Sequence, residues 1–144
     1  MNIAIIGASG FVGSALLRES VRRGHIITAI ARHPDKIDTN DDHHITAVGC
    51  DIFEDDKLAG VLADHDAVLN AYNPGWDDPN IYNDFLKGSQ VIQDAVKNAG
   101  VKRYLVIGGA GSLEIAPGKQ LVDTPDFPKE YKEGAKAARD YLDI

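Results

Sequence analysis

The feature that most constrains this chain is a glycine-rich turn that follows directly on an apolar run. Residues Gly7–Gly13 read Gly-Ala-Ser-Gly-Phe-Val-Gly and come straight after Ile3–Ile6. The apolar run predicts a buried strand, and the residues after the turn predict an amphipathic helix that Gly24 ends. Glycines permit a sharp bend and a close ligand approach, while the helix start offers N–H groups to an anion. We expect a dinucleotide pyrophosphate there; the alternative is a glycine turn that serves packing only.

Strand and helix patterns alternate along the rest of the chain, which predicts a parallel sheet with helices on both faces. Right-handed crossovers then give a doubly wound α/β (Rossmann) fold with strand order 3-2-1-4-5. In the first helix we expect Val12, Ala15 and Leu16 to form the apolar face. The predicted strands are Asn2–Ile6, Ile26–Ala31, Ile45–Val48, Ala67–Ala71 and Tyr104–Ile107, and the predicted helices are Phe11–Arg23, Asp55–Ala63, Ile81–Asn98 and Lys129–Leu142.

Residues 1–144 fit one domain, with a long glycine- and proline-bearing loop between the fifth strand and Pro128. The chain ends at Ile144, whereas a complete dinucleotide fold has at least one more strand. We therefore expect the front part of a longer protein. The fifth strand would then be an apolar edge that can pair with another chain, which favours a homodimer.

Composition excludes several classes of protein. The formal net charge of -7 argues against a nucleic-acid partner, because phosphates need a basic surface. The single cysteine, Cys50, allows no internal disulfide, and the simplest interpretation is a reduced, cytoplasmic setting. No apolar run reaches membrane-spanning length, so we expect no membrane partner. The expected partner is a small-molecule substrate.

The ends of the second and third strands carry the next candidates. Arg32 stands where an acidic residue would hold the ribose 2′-hydroxyl of NAD, and a guanidinium suits the 2′-phosphate of NADP instead. The alternative is a solvated arginine, with Asp35 close by. After the third strand, Asp51 is positioned to accept a bond from the adenine amino group, with Ile52 against the ring. A turn-forming aspartate is the alternative.

The fourth strand ends in Asn70, Ala71 and Tyr72, where small residues let the backbone approach the cofactor ribose and Asn70 could equally form a turn. Tyr72 and Trp76 are aromatic residues that could stack on a planar ring, or pack within the loop.

The fifth strand runs into Gly108-Gly109-Ala110-Gly111-Ser112, and three glycines so close together suggest that Gly109 approaches a ligand. Ser112 could orient a substrate atom or cap the loop. Tyr131 begins the last helix as a candidate acid, but position 135 is alanine and Lys136 is five residues away. A Tyr–Lys acid pair needs a spacing of four, so Tyr131 is better interpreted as a packing or pocket residue.

The histidines predict no metal site. Asp41–His44 is an Asp-Asp-His-His run, but adjacent histidines point apart on a strand, which favours a polar loop.

The motifs Gly7–Gly13, Ala31-Arg32, Cys50-Asp51, Leu69–Ala71 and Gly108–Leu113 together resemble those of the atypical short-chain dehydrogenase/reductases. The chain is most similar to their NAD(P)H-binding branch of NmrA-like and NADH-flavin reductase-like proteins. The resemblance implies a Rossmann fold that binds NADP, or NAD, and transfers hydride to a small planar acceptor such as FMN, FAD or a quinone. By position it places the cofactor against Gly7, Gly10 and Gly13, the pyrophosphate at Ser9, Phe11 and Val12, the adenosine phosphate at Arg32, the adenine at Asp51 and Ile52, the ribose at Ala71 and the nicotinamide beside Ser112.

Two departures from the family pattern shape the functional hypotheses. The Tyr–Lys pair of the catalytic members is absent, and so is the family's C-terminal substrate-binding part. An NAD(P)H-dependent flavin or quinone reductase needs least from the protein, because cofactor and acceptor carry the chemistry. The alternatives are a non-catalytic NADP-sensing regulator and an epimerase- or dehydratase-like enzyme that acts on a nucleotide sugar.

Overall fold

The computed structural model describes residues 1–144, apart from the side chain of residue 55. The chain divides into two compact units, the first formed by Met1–Tyr72 and Val91–Ile107, the second by Asn73–Gln90 and Gly108–Ile144. The sequence prediction of one domain stays a prediction. None of the described helices is long and apolar enough to cross a membrane.

The first unit is built on a five-stranded parallel sheet. Its strands run in the order β3-β2-β1-β4-β5, so the predicted Rossmann order is confirmed. The strands are β1 (Asn2–Ile6), β2 (Ile26–Ala31), β3 (Ile45–Gly49), β4 (Ala67–Asn70) and β5 (Tyr104–Val106), and the helices of the chain are α1 (Phe11–Arg22), α2 (Asp55–Leu62), α3 (Ile81–Asn98) and α4 (Lys129–Asp140).

The sheet is covered on both faces because its central strands are apolar throughout. On β1, Ile3 and Ile5 join one core cluster, with Leu17 of α1, while Ala4 and Ile6 join the other. The second cluster also takes buried residues from two helices: Leu58 and Leu62 of α2, and Ile92, Ala95 and Val96 of α3. Alternate side chains of one strand thus supply two cores, as a doubly wound sheet requires.

The predicted apolar face of α1 is correct only at Leu16, which packs against the core. Val12 and Ala15 are exposed, and the buried positions are Gly13, Leu17 and Ser20. These three follow one helical face that Gly13 starts, because the glycine turn lies directly beneath it. Hydrophobicity alone therefore pointed to a face that is rotated from the one the turn dictates.

The helix stop was predicted correctly. Gly24 adopts φ of +78°, and its N–H donates to Val21 O while the next N–H, of His25, donates to Ser20 O. That pair of bonds is the Schellman arrangement, which needs a left-handed residue and so favours glycine.

The second unit contains regular structure where the sequence predicted only a loop. A hairpin joins β6 (Glu114–Ala116) to β7 (Lys119–Gln120), and short 3-10 turns flank it. Pro117 and Gly118, with φ of +71° at the glycine, form the connection. The strands are too short for an alternating pattern to show, whereas the Pro-Gly pair was a usable hairpin signal. The last helix also ends at Asp140, and residues 141–143 form a 3-10 turn.

Candidate functional site

The glycine turn is tied to the carboxyl ends of two neighbouring strands. The N–H groups of Gly7 and Ala8 both donate to Ile30 O, at 3.0 and 3.1 Å, and Gly7 O accepts from Gly10 N–H at 3.0 Å. Gly7 has φ of +77°, and a Cβ there would lie 2.7 Å from Ala71 O. The ends of β1 and β4 therefore approach so closely that only glycine fits at position 7.

The other two glycines of the motif differ from each other. A Cβ at Gly13 would lie 2.0 Å from Gly7 O and 2.7 Å from Gly7 C, both backbone atoms that cannot move aside. At Gly10 the nearest atom is Gly7 O at 3.3 Å, and Gly10 is exposed. Packing thus requires Gly7 and Gly13, whereas Gly10 faces solvent at the mouth of the turn.

The start of α1 is open to an anion. Gly10 caps it without a side chain, no acidic residue stands in the first turn, and the first helical bond is from Ser14 N–H to Gly10 O at 2.9 Å. The N–H groups of Phe11, Val12 and Gly13 therefore have no intrahelical acceptor. The helix dipole adds positive charge at the same place, so the turn fits the pyrophosphate of a dinucleotide.

The end of β2 carries two cations. Arg32 is exposed just after the strand, and Lys36 is exposed at the end of the 3-10 turn Pro34–Lys36. Neither cation has a hydrogen bond or an ion pair with the side chains that the structure describes. Sequence reasoning missed Lys36, although its spacing of four from Arg32 was a readable signal. Two cations without acidic partners suit a phosphate monoester, even with Asp35 between them in the sequence.

At the end of β3, the two residues predicted to contact adenine have different surroundings. Asp51 Oδ1 accepts from Phe53 N–H at 3.0 Å, which is the turn role left open by the sequence. Ile52 is only 7% exposed and belongs to the core, whereas Phe53 is exposed. Burial raises the pKa of the Cys50 thiol, so the lone cysteine lacks the character of a reactive thiolate. The roles of Asp51 and Ile52 towards adenine stay predictions.

At the end of β4, Asn70 holds the turn together. The side chain is buried, its Nδ2 donates to Tyr104 Oη at 2.8 Å, and its Oδ1 accepts from Tyr72 N–H at 2.9 Å. Ala71 N–H donates to Ile6 O at 3.0 Å, which fixes the backbone that faces Gly7. The structure therefore shows the turn role for Asn70, while cofactor contacts of Asn70, Ala71 and Tyr72 stay predictions.

The glycine-rich segment after β5 belongs to the second unit. Ser112 Oγ donates to Gly109 O at 3.0 Å, so the serine caps its own short turn. A Cβ at Gly111 would meet the Ala135 methyl at 3.1 Å, which places position 135 of α4 against this turn. The proposed contacts of Gly109 and Ser112 with the cofactor stay predictions.

Tyr131 has no lysine partner on α4. Lys136 instead contacts Glu133, with Nζ to Oε1 at 2.9 Å, and position 135 is the alanine that packs on Gly111. Tyr131 packs edge to face against Trp76, with ring centroids 5.1 Å apart. This arrangement agrees with a packing or pocket role for Tyr131 and gives no support to a Tyr–Lys acid pair.

The reason given for excluding a metal at the histidines is wrong. Asp42, His43 and His44 precede β3 in a turn, not on a strand, and the two imidazole rings are 4.0 Å apart. One potential ligand atom from each residue lies within 4.8 Å of the others. Asp42 Oδ1 already accepts from the N–H of His44 and lies 2.8 Å from its Nδ1. The absence of a metal stays a prediction.

The sheet order, the backbone turn at β1 and the open start of α1 define a nucleotide-binding protein of the Rossmann class. The chain belongs to the NAD(P)H-binding family, whose sequence profile matches residues 7–143. A nicotinamide cofactor follows from this membership.

Three similar proteins illustrate the family. The "uncharacterized protein YwnB" of Bacillus subtilis (strain 168) is 38% identical over 133 residues, which are 91% of this chain and 59% of that protein. A crystal structure of a "putative epimerase" from Bacteroides thetaiotaomicron has 43% identity and a TM-score of 0.88, over 98% of this chain and 62% of that one. A "putative NADH-flavin reductase" from Streptococcus pneumoniae TIGR4 has 38% identity and a TM-score of 0.80, over 99% and 64%. The chain thus spans about three fifths of the length of each relative.

Proposed function

We propose that this protein is an NADPH-dependent reductase that passes hydride to a small planar acceptor, a flavin or a quinone. The observation that carries the proposal is the open start of α1 above the Gly7–Gly13 turn, which fits a dinucleotide pyrophosphate. Membership of the NAD(P)H-binding family supports the cofactor. The printed name of the Streptococcus relative supports a flavin as acceptor.

Arg32 and Lys36 support NADPH over NADH. Both are exposed cations at the carboxyl end of β2, where the adenosine ribose lies in Rossmann proteins, and no carboxylate stands at the strand end to take a 2′-hydroxyl. A guanidinium can hold a phosphate with two parallel bonds, and an ammonium adds a point charge. In the same proposal Ser9, Phe11 and Val12 line the pyrophosphate, Asp51 and Ile52 face adenine, and Ala71 and Tyr72 lie at the ribose.

In the proposed reaction the main role of the protein is to position the cofactor and the acceptor. A hydride moves from the reduced nicotinamide to the acceptor, which also takes one proton from water. Backbone N–H groups of α1 hold the diphosphate, Ala71 admits the ribose, and the Ser112 hydroxyl orients the acceptor. No side chain needs to supply the proton, which agrees with the contact of Lys136 to Glu133 in place of Tyr131.

One observation favours a second candidate, a non-catalytic NADP-sensing protein. The described part of α4 offers Tyr131 no lysine at the spacing of an acid pair, so a chain that binds NADP without turnover would look the same. The Bacteroides relative's name suggests an epimerase, but the missing pair weighs against that chemistry here.

A calorimetric titration tests the cofactor. Wild-type protein should bind NADPH more tightly than NADH, and Arg32→Ala should weaken NADPH binding by about tenfold or more while NADH changes less than about twofold. Lys36→Ala should show the same selectivity with a smaller loss. Arg103→Ala, at the amino end of β5, is the matched control and should bind both cofactors as wild type does. Equal losses of NADPH and NADH in Arg32→Ala would contradict the phosphate role.

A turnover assay separates the two candidates. NADPH is mixed with the protein and FMN, FAD or a small quinone, and the absorbance of the reduced nicotinamide is followed. The reductase proposal expects oxidation that depends on both protein and acceptor. Tight NADPH binding without oxidation by any of the acceptors would favour the sensor.

A further inference from the structure

The carboxyl end of β3 carries an aromatic side chain that has no role in the proposed function. Phe53 comes shortly after Gly49, the last residue of the strand, and 48% of its surface is exposed. Its neighbour Ile52 is 7% exposed and belongs to the core, so Ile52 can offer a ligand only a small area. Phe53 therefore presents far more apolar surface at this strand end than Ile52 does.

Hydrogen bonds fix the turn that presents Phe53. Asp51 Oδ1 accepts from Phe53 N–H at 3.0 Å, and Asp51 O accepts from Glu54 N–H at 3.0 Å. Cys50, one residue before Asp51, is buried, and its N–H donates to Ala31 O on β2 at 3.1 Å. A tight turn thus ties Phe53 to the edge of the sheet, so its backbone is ordered before a ligand binds.

The same edge of the first unit carries Arg32. The chain after β2 stays packed on the end of β3, because a Cβ at Gly49 would lie 3.2 Å from Cγ of Pro34. Phe53 remains close to that contact as well, since three residues span at most about 11 Å and Cys50 is bound to β2. An aromatic ring and a guanidinium therefore lie at the same end of two neighbouring strands.

We propose that Phe53 is the side chain on which the adenine ring of the dinucleotide stacks. The inference rests on the proposed function, because it names the residue that covers one face of the base of that cofactor. Asp51 keeps its proposed place at the edge of the ring, where a carboxylate oxygen accepts from the adenine amino group. Phe53 adds a face contact that Ile52, buried in the core, is too little exposed to provide alone.

The order of the strands selects adenine as the ring. Along the edge of the sheet the order β3-β2-β1 puts Phe53 first, Arg32 next and the Gly7–Gly13 turn third. Neighbouring strands lie about 4.8 Å apart, so β3 is about 10 Å from β1. Adenine, ribose and diphosphate follow one another in the same order in NADPH. The nicotinamide is on the other side of the diphosphate and therefore points away from β3.

The exposed face of Phe53 also supplies a driving force. Adenine is a flat, neutral ring, and stacking it on a phenyl group removes water from both faces. The ordered turn lowers the entropic cost of holding the ring in place. Every base has such a face, so Phe53 adds affinity for adenosine, whereas Arg32 supplies the preference for a 2′-phosphate.

Two adenine nucleotides separate the contact with the base from the contact with the phosphate. Adenosine 2′,5′-bisphosphate carries the 2′-phosphate of NADPH, and 5′-AMP lacks it. In calorimetric titrations Phe53→Ala should weaken binding of both nucleotides by the same factor, about fivefold or more, because both present the base. Arg32→Ala should weaken the bisphosphate and leave 5′-AMP within about twofold of wild type.

Two further variants serve as controls. Phe53→Tyr keeps an aromatic ring and should bind both nucleotides as wild type does. Ile26→Ala removes another exposed apolar side chain of the first unit, at the amino end of β2, and should leave both titrations unchanged.

Fluorescence measures directly whether adenine covers position 53. The chain has one tryptophan, so the double variant Phe53→Trp, Trp76→Phe carries a single indole, at the proposed stacking position. Adenosine 2′,5′-bisphosphate should then quench the emission saturably and lower the acrylamide quenching constant by about twofold, because the base covers one face of the indole.

The outcomes distinguish this inference from the proposed function. If wild-type protein binds NADPH and Phe53→Ala binds both nucleotides as Ile26→Ala does, the stacking role is wrong and the proposed cofactor site is unaffected. A loss in Phe53→Ala confined to the bisphosphate would also overturn the inference, because Phe53 would then act on the phosphate. If Phe53→Ala weakens both nucleotides but no acceptor oxidises NADPH, the reductase proposal fails and the stacking role is supported. Failure of wild-type protein to bind NADPH or either nucleotide would contradict both.

Discussion

Two helical glycines show how differently the two units of this protein build close contacts. Gly13, in the first unit, starts the buried face of α1, and a Cβ there would meet the backbone of Gly7 at 2.0 Å. Gly134, in the second unit, lies inside α4, and a Cβ there would meet the Trp76 side chain at 2.7 Å. Both positions exclude a side chain, but one neighbour is backbone and the other is a ring that can rotate away.

The kind of neighbour determines which of the two glycines tolerates substitution. A backbone neighbour is fixed by the hydrogen bonds of Gly7 to Ile30 and Gly10, so substitution at Gly13 must displace a strand end. A side-chain neighbour at the surface can adopt another rotamer at modest cost. The Gly7–Gly13 turn is therefore rigid, whereas the contact between Trp76 and Gly134 is adjustable.

The largest effect is expected at the first of these glycines. Gly13→Ala should lower the free energy of unfolding by about 3 kcal/mol or prevent folding, because the backbone atoms that the new methyl group would meet cannot move aside. Urea denaturation measures the change. Gly60→Ala is the matched control, since α2 leaves open space there and alanine should raise stability by about 0.5–1 kcal/mol. Equal stability of the two variants would contradict the backbone contact.

A smaller loss is expected at the end of β4. Asn70→Ala removes two hydrogen bonds of a buried amide and should lower the free energy of unfolding by about 2 kcal/mol. Tyr104→Phe removes one of them and should cost about half as much. Should Asn70→Ala unfold at the wild-type urea midpoint but lose NADPH affinity, the residue would be a cofactor ligand first and a turn former second.

Because the Trp76 side chain can move, we expect only a small change in the free energy of unfolding when Gly134 is substituted. Gly134→Ala should change the free energy of unfolding by no more than about 1 kcal/mol, because the gain in helix propensity offsets part of the cost of moving Trp76. The same variant should shift Trp76 emission to the red as the indole gains solvent. A loss as large as that of Gly13→Ala would show that the two glycines tolerate a side chain equally poorly.

The smallest effect concerns pH. Arg139 first, and then the Tyr82 hydroxyl at 2.8 Å, hold the pKa of Asp140 below its usual value. A lowered carboxyl pKa stabilises the folded state above about pH 4, and that contribution is lost as the pH falls through the folded pKa.

Tyr82→Phe should therefore raise the pKa of Asp140 and slightly lower the free energy of unfolding at neutral pH, with the difference vanishing in acid. NMR titration of the Asp140 carboxyl measures the pKa. Tyr131→Phe serves as the control and should leave that pKa unchanged. An unchanged pKa in Tyr82→Phe would show that Arg139 alone lowers it.

Much of the first unit could be predicted from the sequence, because its signals are local. The strand order follows from apolar runs separated by helical patterns, and α3 was predicted with both of its observed ends, Ile81 and Asn98. The turn Gly7–Gly13 was placed correctly at the end of β1. Each of these features depends on residues close together in the chain and on right-handed crossovers that hold for nearly all such sheets.

The predictions that failed depend on three-dimensional contacts that residue type and hydrophobicity do not specify. Val12 looked like a core residue by its hydrophobicity, but contact of Gly13 with the strand end rotates α1 so that Val12 faces solvent. The rings of His43 and His44 were expected to point apart, but in the turn before β3 their centroids lie 4.0 Å apart.

By itself the sequence determined the α/β class, the order of the five parallel strands and the glycine turn, because apolar periodicity and glycine content act over a few residues. The tertiary structure alone shows that Gly13 meets the Gly7 backbone, that neither Arg32 nor Lys36 has an acidic partner among the described side chains, and that Trp76 lies against Gly134. These facts depend on atoms brought together by packing, and no local pattern specifies which surfaces of two folded elements will meet.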